Sequence, residues 1–435
     1  MPAKQTEDVE IASAGPRATD NAIPFPAIRR SRPFNEHPAY LEMQALRQYA
    51  EMAGLQDPFF ATQDGFPCAL VHHQGHRLIN FSSYNYLGLN GDRRVSQAAI
   101  EAIQSMGTSV SASRLVSGER EIHGELEQAL AEAHDCEAAL TFVSGHATNV
   151  TVIGYLYDAD DLILHDKLAH NSILKGIRLS GADRVSFKHN DLDDLEQKLQ
   201  RTRHRYRNVL IITEGLYSMD GDFPDLERLV QIKRRWGCQL MVDDAHGLGV
   251  MGSTGLGVRE HFGLKGSDID IWMGTLSKTL ASTGGYIAGS KVLIDLLRFR
   301  APGFLYSVGL APPATAAALA ALRIMRAEPE RVQRLQQISR YFLEQARTND
   351  MNTGTCMGYA IVPTIMGDPR IAVLASEALK ERGILAKPIM YPAVADQSAR
   401  LRFFISCDHT TQMVDEAMKA WRDVLNMLPD SDGAG

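Results

Sequence analysis

Three short hydrophobic runs, each followed by a polar tail, constrain the fold of this chain most. They occupy residues 209–213, 238–242 and 269–273. Each run has the length and composition of a strand buried within a sheet. Open α/β sheets bind ligands in the crevice outside the carboxyl ends of their strands. We therefore expect a ligand site where these three runs end.

The tails supply residues that suit carbonyl chemistry. Lys278 follows the third run, and burial there lowers the pKa of its amine, as a Schiff-base lysine requires. Asp243 and His246 follow the second run, and an Asp at that place can keep a pyridinium nitrogen protonated. The tail of the first run begins at Glu214. Any one tail is typical of a polar turn, but three in this order indicate a site.

Read together, the tails resemble those of a known family. Residues 214–222 read EGLYSMDGD, residues 242–247 read VDDAHG, and residues 274–278 read GTLSK. This set is similar to the α-oxoamine synthases, fold-type I enzymes that use pyridoxal phosphate (PLP). The family includes 8-amino-7-oxononanoate synthase, serine palmitoyltransferase, 5-aminolevulinate synthase and 2-amino-3-ketobutyrate ligase. The similarity runs from about Asn80 to the last helix, and so covers most of the chain.

The resemblance implies an α/β fold of the aspartate aminotransferase type. We expect a disordered tail over residues 1–35, then a helix and a hairpin over 36–90. A large PLP-binding domain with a mostly parallel seven-stranded sheet should cover 91–325. A smaller α/β domain should cover 326–435.

Local sequence and the family resemblance together predict the site residues. A helix that starts after Ser144 offers free N–H groups for a phosphate, so Ser144, Gly145 and His146 are candidates. The resemblance implies that Lys278, His170, Asp243 and His246 are catalytic, with His170 stacked on the cofactor ring. It adds Glu214, Ser218, Thr275 and Ser307 to the cofactor site, Ser307 reaching the phosphate of a partner subunit. It places Asn85, Ser113 and Arg402 at the substrates, Arg402 on the amino-acid carboxylate.

Some of these positions have alternatives. Asn85 equally suits a turn that closes before Gly88. Arg400 is expected on the opposite face of its strand from Arg402, and so exposed to solvent. The basic run 198–207, which begins at Lys198 and ends at Arg207, is interpreted as a solvated helix end, with docking of an acidic carrier protein as the alternative.

Two departures from the family pattern bear on the substrates. Ser113 replaces the threonine of the glycine-specific aminolevulinate enzymes, which leaves room for alanine or serine. Met390 stands where the oxononanoate and palmitoyl enzymes have an arginine. The segments 109–118 and 284–308 resemble members associated with polyketide synthases. These features predict that alanine, serine or glycine condenses with an acyl thioester, on an acyl carrier protein or CoA, within a homodimer.

Composition sets the remaining bounds. A net charge of −7 favours neither nucleic acid nor an anionic membrane as partner. The five cysteines are scattered, which argues against a disulfide framework or a metal site and fits the cytoplasm. No run is apolar enough for a membrane span. The competing hypotheses are 8-amino-7-oxononanoate synthase, an aminotransferase, an aldolase-like lyase and a non-catalytic partner subunit, although the last would be expected to lack Lys278.

Overall fold

The computed structural model describes residues 31–52, 59–60, 62–73 and 75–428. Most of the predicted disordered tail therefore lies outside the described residues. The chain divides into two compact units, Met1–Asp57 and Pro58–Gly435. Within the first unit a helix, α1, spans Pro38–Met52, which confirms the helix expected here.

A seven-stranded sheet forms the centre of the second unit. Its strands are β3 (Ala138–Phe142), β4 (Leu162–Asp166), β5 (Asp183–Phe187), β6 (Val209–Glu214), β7 (Gln239–Asp243), β8 (Ile271–Thr275) and β9 (Gly285–Gly289). Their order across the sheet is β3-β9-β8-β7-β6-β4-β5, and only the two pairings of β9 are antiparallel. This confirms the mostly parallel seven-stranded sheet that the family resemblance implies.

Helices cover both faces of this sheet, which explains why its strands are continuous hydrophobic runs. In β6, Ile211 packs into one apolar core, whereas Leu210 and Ile212 pack into the other. The helices of this unit are α2 (Arg93–Met106), α3 (Glu121–Ala133), α4 (Gly145–Leu156), α5 (Asn171–Ser180), α6 (Leu192–Thr202), α7 (Leu226–Trp236), α8 (Gly257–His261), α9 (Lys291–Arg300), α10 (Pro302–Leu305), α11 (Pro312–Ala327), α12 (Pro329–Thr348), α13 (Pro369–Glu381) and α14 (Thr411–Leu425). None of the helices in the described part of the chain is long and apolar enough to cross a bilayer.

Two three-stranded sheets complete the second unit. The predicted hairpin is β1 (Leu70–His73) with β2 (His76–Asn80), and β11 (Ile384–Leu385) joins β2 in parallel. The other sheet is antiparallel, with β13 (Ala399–Phe404) between β10 (Ile361–Gly367) and β12 (Lys387–Ile389). The division near residue 325 stays a prediction, because residues from Pro58 onward form one compact unit.

Candidate active site

The polar tails converge at the carboxyl edge of the parallel strands. Glu214 at the end of β6 pairs in register with Asp243 at the end of β7, and Asp243 pairs with Met273 of β8. This register brings the three sequence segments to one place. Crowding has an electrostatic effect: burial, then the nearby charge of Asp243, raises the pKa of Glu214 well above its ordinary value.

Asp243 is held by a residue that the sequence analysis missed. The side-chain amide of Asn149 in α4 donates to Asp243 Oδ2 at 2.8 Å and to Ser172 Oγ at 2.9 Å. The backbone N–H of Ala245 donates to Asp243 Oδ1 at 3.1 Å. The carboxylate is thus fixed in a buried position. The spacing in the sequence could have indicated Asn149, because it lies one helical turn after Gly145 and therefore on the same face of the helix.

Lys278 follows β8 and is half-buried. Burial lowers the pKa of its amine to about 8, against the opposing attraction of Asp243 and Glu214. Its Nζ lies 5.8 Å from the ring centroid of Tyr84. A substantial fraction of this amine is therefore neutral near pH 8, as a nucleophile and base requires.

Two histidines flank this lysine. The backbone N–H of His170 donates to Glu214 Oε1 at 2.7 Å, and its ring Nδ1 lies 2.7 Å from Ser172 Oγ, while the residue stays exposed. His246 is buried, with Nδ1 2.7 Å from the hydroxyl of Tyr86. Burial lowers the pKa of both histidines, that of His246 well below its usual range. Both rings are therefore neutral at physiological pH, and His170 offers an open face for stacking.

The amino end of α4 lies against the end of β8. Ser144 caps the helix, accepting from the N–H of Ala147 at 3.2 Å. A Cβ added at Gly145 would lie 2.9 Å from Thr275 Oγ1, so only glycine lets the two segments approach this closely. His146 is exposed beside them. This helix end can receive a phosphate through its free N–H groups.

Arg402 and Arg400 reach the same loop from β13. Arg402 Nη1 donates to the carbonyl of Ser218 at 3.0 Å, and Arg400 Nη1 donates to the carbonyl of Met219 at 2.9 Å and to Asp220 at 2.7 Å. Both arginines are buried. The expectation that Arg400 is exposed on the opposite face is wrong, because residues two apart in a strand share a face.

One arginine nitrogen has capacity left for a ligand. Arg402 Nε is buried with no hydrogen-bond partner among the described residues, whereas Nη2 lies 3.4 Å from the hydroxyl of Tyr84. The guanidinium also stacks 4.4 Å from the ring centroid of Phe404. Burial lowers the pKa of Arg402, although not enough to discharge it. A buried cation with an unused donor suits a carboxylate.

These residues fit PLP. The amino end of α4 suits its phosphate, Asp243 its ring nitrogen, His170 its flat face, and Lys278 its aldehyde. Together these residues would contact the phosphate, the ring nitrogen, one ring face and the aldehyde of PLP.

Comparison with known proteins assigns the chain to a family. The family of class I and II aminotransferases matches residues 76–420. The 8-amino-7-oxononanoate synthase of Treponema denticola is 40% identical over 378 residues, covering 87% of this chain and 93% of the relative. That of Symbiobacterium thermophilum is 41% identical over 384 residues, covering 88% and 96%. The chain belongs to the α-oxoamine synthase family.

Solved structures agree with this assignment. The serine palmitoyltransferase of S. paucimobilis, with bound PLP, superposes with a TM-score of 0.86 at 28% identity, over 91% of this chain and 99% of that chain. The Sphingomonas wittichii serine palmitoyltransferase superposes with a TM-score of 0.85 at 27% identity, over 90% of this chain and 99% of that chain. The protein is thus a fold-type I, PLP-dependent C-acyltransferase, as the sequence predicts.

Within the described part of the chain, the hydrogen bonds of three predicted site residues of this α-oxoamine synthase go to residues outside the cluster around Lys278. The side chain of Asn85 bonds the backbone of Asn90: it accepts from the Asn90 N–H at 2.9 Å and donates to the Asn90 carbonyl at 3.1 Å. This geometry is that of the turn-closing alternative. The hydrogen bonds of Ser307 stay within its own segment. The backbone carbonyl of Ser113 accepts from the N–H of Gly118 at 2.9 Å, which closes the loop before α3.

The basic run 198–207 is largely used within the chain. Lys198 pairs with Asp194. Arg203 donates to the carbonyl groups of three residues, Trp236, Tyr206 and Gly237. Arg207 pairs with Asp158 at 3.0 Å and with Asp161 at 3.2 Å. These contacts favour the solvated helix end over a docking surface.

Proposed function

We propose that this α-oxoamine synthase condenses a small amino acid, alanine first and serine or glycine next, with a neutral acyl thioester. In this reaction the amino-acid Cα bonds to the thioester carbonyl carbon and the thiol leaves. The amino-acid carboxyl group is lost as CO2, and a proton replaces it. The product is an α-aminoketone.

This proposal rests on the presence of Lys278 and Arg402 in one site, where burial and also the charge of Arg402 lower the pKa of the Lys278 amine. Arg402 Nε is buried and has no hydrogen-bond partner in the described ranges of the chain, so a substrate carboxylate would satisfy it. The amine of Lys278, whose pKa burial lowers to about 8, suits removal of a proton from Cα. An arginine that fixes the carboxylate and a nearby base that reaches Cα are the two requirements of the amino-acid half-reaction.

The other residues have supporting roles in this proposal. PLP, when bound, supplies an electron sink for the Cα of the amino acid. Asp243, held by Asn149 at 2.8 Å, would keep a proton on the ring nitrogen of PLP. His246, whose Nδ1 lies 2.7 Å from the Tyr86 hydroxyl, would donate from its other ring nitrogen to the phenolate oxygen of PLP. His170 would stack on one face of the PLP ring.

The acyl half rests on Met390, which offers no charge to a carboxylated acyl chain. Burying a carboxylate beside it without a partner would be unfavourable. A second candidate, 8-amino-7-oxononanoate synthase, is supported by the identity of 40% to the Treponema denticola relative.

We further propose a cytoplasmic homodimer that receives its acyl group from a carrier protein or from CoA. The five cysteines all lie in the described residues and are free, which suits a reducing compartment. The segment of Ser307, expected to reach a partner subunit, contacts the loop before α3, since the Gly309 N–H donates to the Ala112 carbonyl at 3.1 Å. They expose Val116 at 79% and Tyr306 at 89%, and such apolar exposure suits an interface.

The test measures free thiol, CO2 and aminoketone from a panel of amino acids and thioesters, with product masses. The proposal expects release of all three products together. An aminotransferase would instead consume a keto acid without thiol release, and an aldolase-like lyase would need no thioester.

A further inference from the structure

One buried network lies outside the residues that would contact cofactor or substrate. His189, in the loop after β5, has Nδ1 2.9 Å from Asp166 Oδ1 and Nε2 3.1 Å from Asp222 Oδ2. Both aspartates are buried. The two carboxylates outweigh burial and raise the pKa of His189 to about 10, so the ring is a cation at neutral pH.

Asp222 closes the loop that follows β6, here called the 215–222 loop. The N–H of Tyr217 donates to the Asp222 carbonyl at 2.8 Å, and the N–H of Gly221 donates to the Tyr217 carbonyl at 2.9 Å. The hydroxyl of Thr355 donates to Asp222 Oδ2 at 2.6 Å. The ring of His189 also meets the ring of Tyr217 edge-on, with centroids 4.5 Å apart. His189 therefore braces this loop by charge and by packing.

The same loop supplies the contacts that orient the arginines of β13. Its Ser218 carbonyl accepts from Arg402 Nη1 at 3.0 Å, and its Met219 carbonyl accepts from Arg400 at 2.9 Å. A shift of the loop must therefore move or release the Arg402 guanidinium. Misplacement of a substrate-binding group by about 1 Å can cost about 100-fold in rate.

We propose that His189 is a positioning residue for the amino-acid carboxylate, acting on Arg402 through the 215–222 loop. The inference rests on the proposed role of Arg402. Without the imidazolium, Asp166 and Asp222 are two buried carboxylates that lack their shared cation, and such charges seek other partners or water. The loop then loses its fixed position, and Arg402 loses an acceptor.

The test compares three variants as PLP-loaded enzyme. His189→Gln removes the charge, and Thr355→Val is a milder change to the same network. His134→Gln is the control, because His134 is a buried histidine outside this network and its Nε2 lies 2.8 Å from the Tyr286 hydroxyl. The amino acid that most changes the cofactor absorbance of the wild type is titrated, alongside its carboxamide, which lacks the carboxylate.

His189→Gln should raise the Kd of the amino acid about 10-fold, equivalent to about 1.4 kcal/mol. It should change the Kd of the carboxamide by less than about twofold. Thr355→Val should give a smaller rise with the same selectivity. His134→Gln should lower Tm but leave both Kd values unchanged. Combined with Arg402→Lys, His189→Gln should add little, because both changes disrupt one unit.

A second readout needs no substrate. Amide hydrogen exchange at Tyr217 and Gly221 should accelerate in His189→Gln and not in His134→Gln. Unchanged exchange, or an equal rise in Kd for amino acid and carboxamide, overturns the role of His189. If the wild type itself binds both ligands equally, the proposed role of Arg402 fails, and the exchange result alone then decides whether His189 positions the loop.

Discussion

Replacement of Arg402 by lysine is the sharpest perturbation of the amino-acid half of the site. A lysine keeps the positive charge but loses the planar fork of donors. It forfeits the bond from Nη1 to the Ser218 carbonyl, 3.0 Å long, and the buried Nε that would face the carboxylate. A hydrogen bond to a charged group is worth about 1.5–3 kcal/mol. We therefore expect the amino-acid KM to rise about 10- to 150-fold in Arg402→Lys.

Steady-state kinetics with the amino acid varied at saturating thioester measures this effect. The thioester KM should change by less than about twofold, because Arg402 is assigned to the other substrate. Arg203→Lys is the matched control. The Arg203 guanidinium donates to the carbonyls of Trp236 and Gly237, which precede β7 and so lie at the amino end of that strand, away from the carboxyl ends that form the site. An amino-acid KM in Arg402→Lys equal to that of Arg203→Lys would refute the carboxylate role.

Three further predictions concern the cofactor and the assembly. Lys278→Ala should abolish the PLP adduct that borohydride fixes to wild-type protein, and mass spectrometry of the treated chain would expose a persisting adduct. The rate at which PLP-free enzyme binds PLP should rise about tenfold per pH unit and level off near pH 8, because the amine of Lys278 loses its proton there; a rise continuing towards pH 10 would contradict the lowered pKa. Val116→Asp should shift sedimentation from dimer to monomer with loss of activity, whereas an active monomer in the wild type would exclude the shared site.

Local sequence was sufficient for three strands of the sheet and for the polar residues at their ends. The strands β6, β7 and β8 are short apolar runs with polar ends, so the places of Glu214, Asp243 and Lys278 followed from the runs alone. The register of parallel strands then brings these ends together without further information. Family resemblance added His170 and Arg402, which lie on separate elements.

Long-range contacts account for what the sequence did not reveal. Asn149 bonds Asp243 across 94 positions, and Tyr86 bonds His246 across 160, so no local pattern pairs them. The bridge from His189 to Asp166 and Asp222 likewise needs the fold. The wrong expectation for Arg400 was avoidable, since a period of two already puts it on the face of Arg402.

The central claim is decarboxylative condensation of a small amino acid with a neutral acyl thioester, and product stoichiometry tests it most directly. Carboxyl-labelled alanine is supplied with neutral acyl or pimeloyl thioesters, each on CoA and on a carrier protein. We predict one CO2 and one thiol per aminoketone, with the highest kcat/KM for a neutral chain. Label retained in the product would contradict the reaction, and a far higher kcat/KM with pimeloyl-CoA would identify the enzyme as an 8-amino-7-oxononanoate synthase instead.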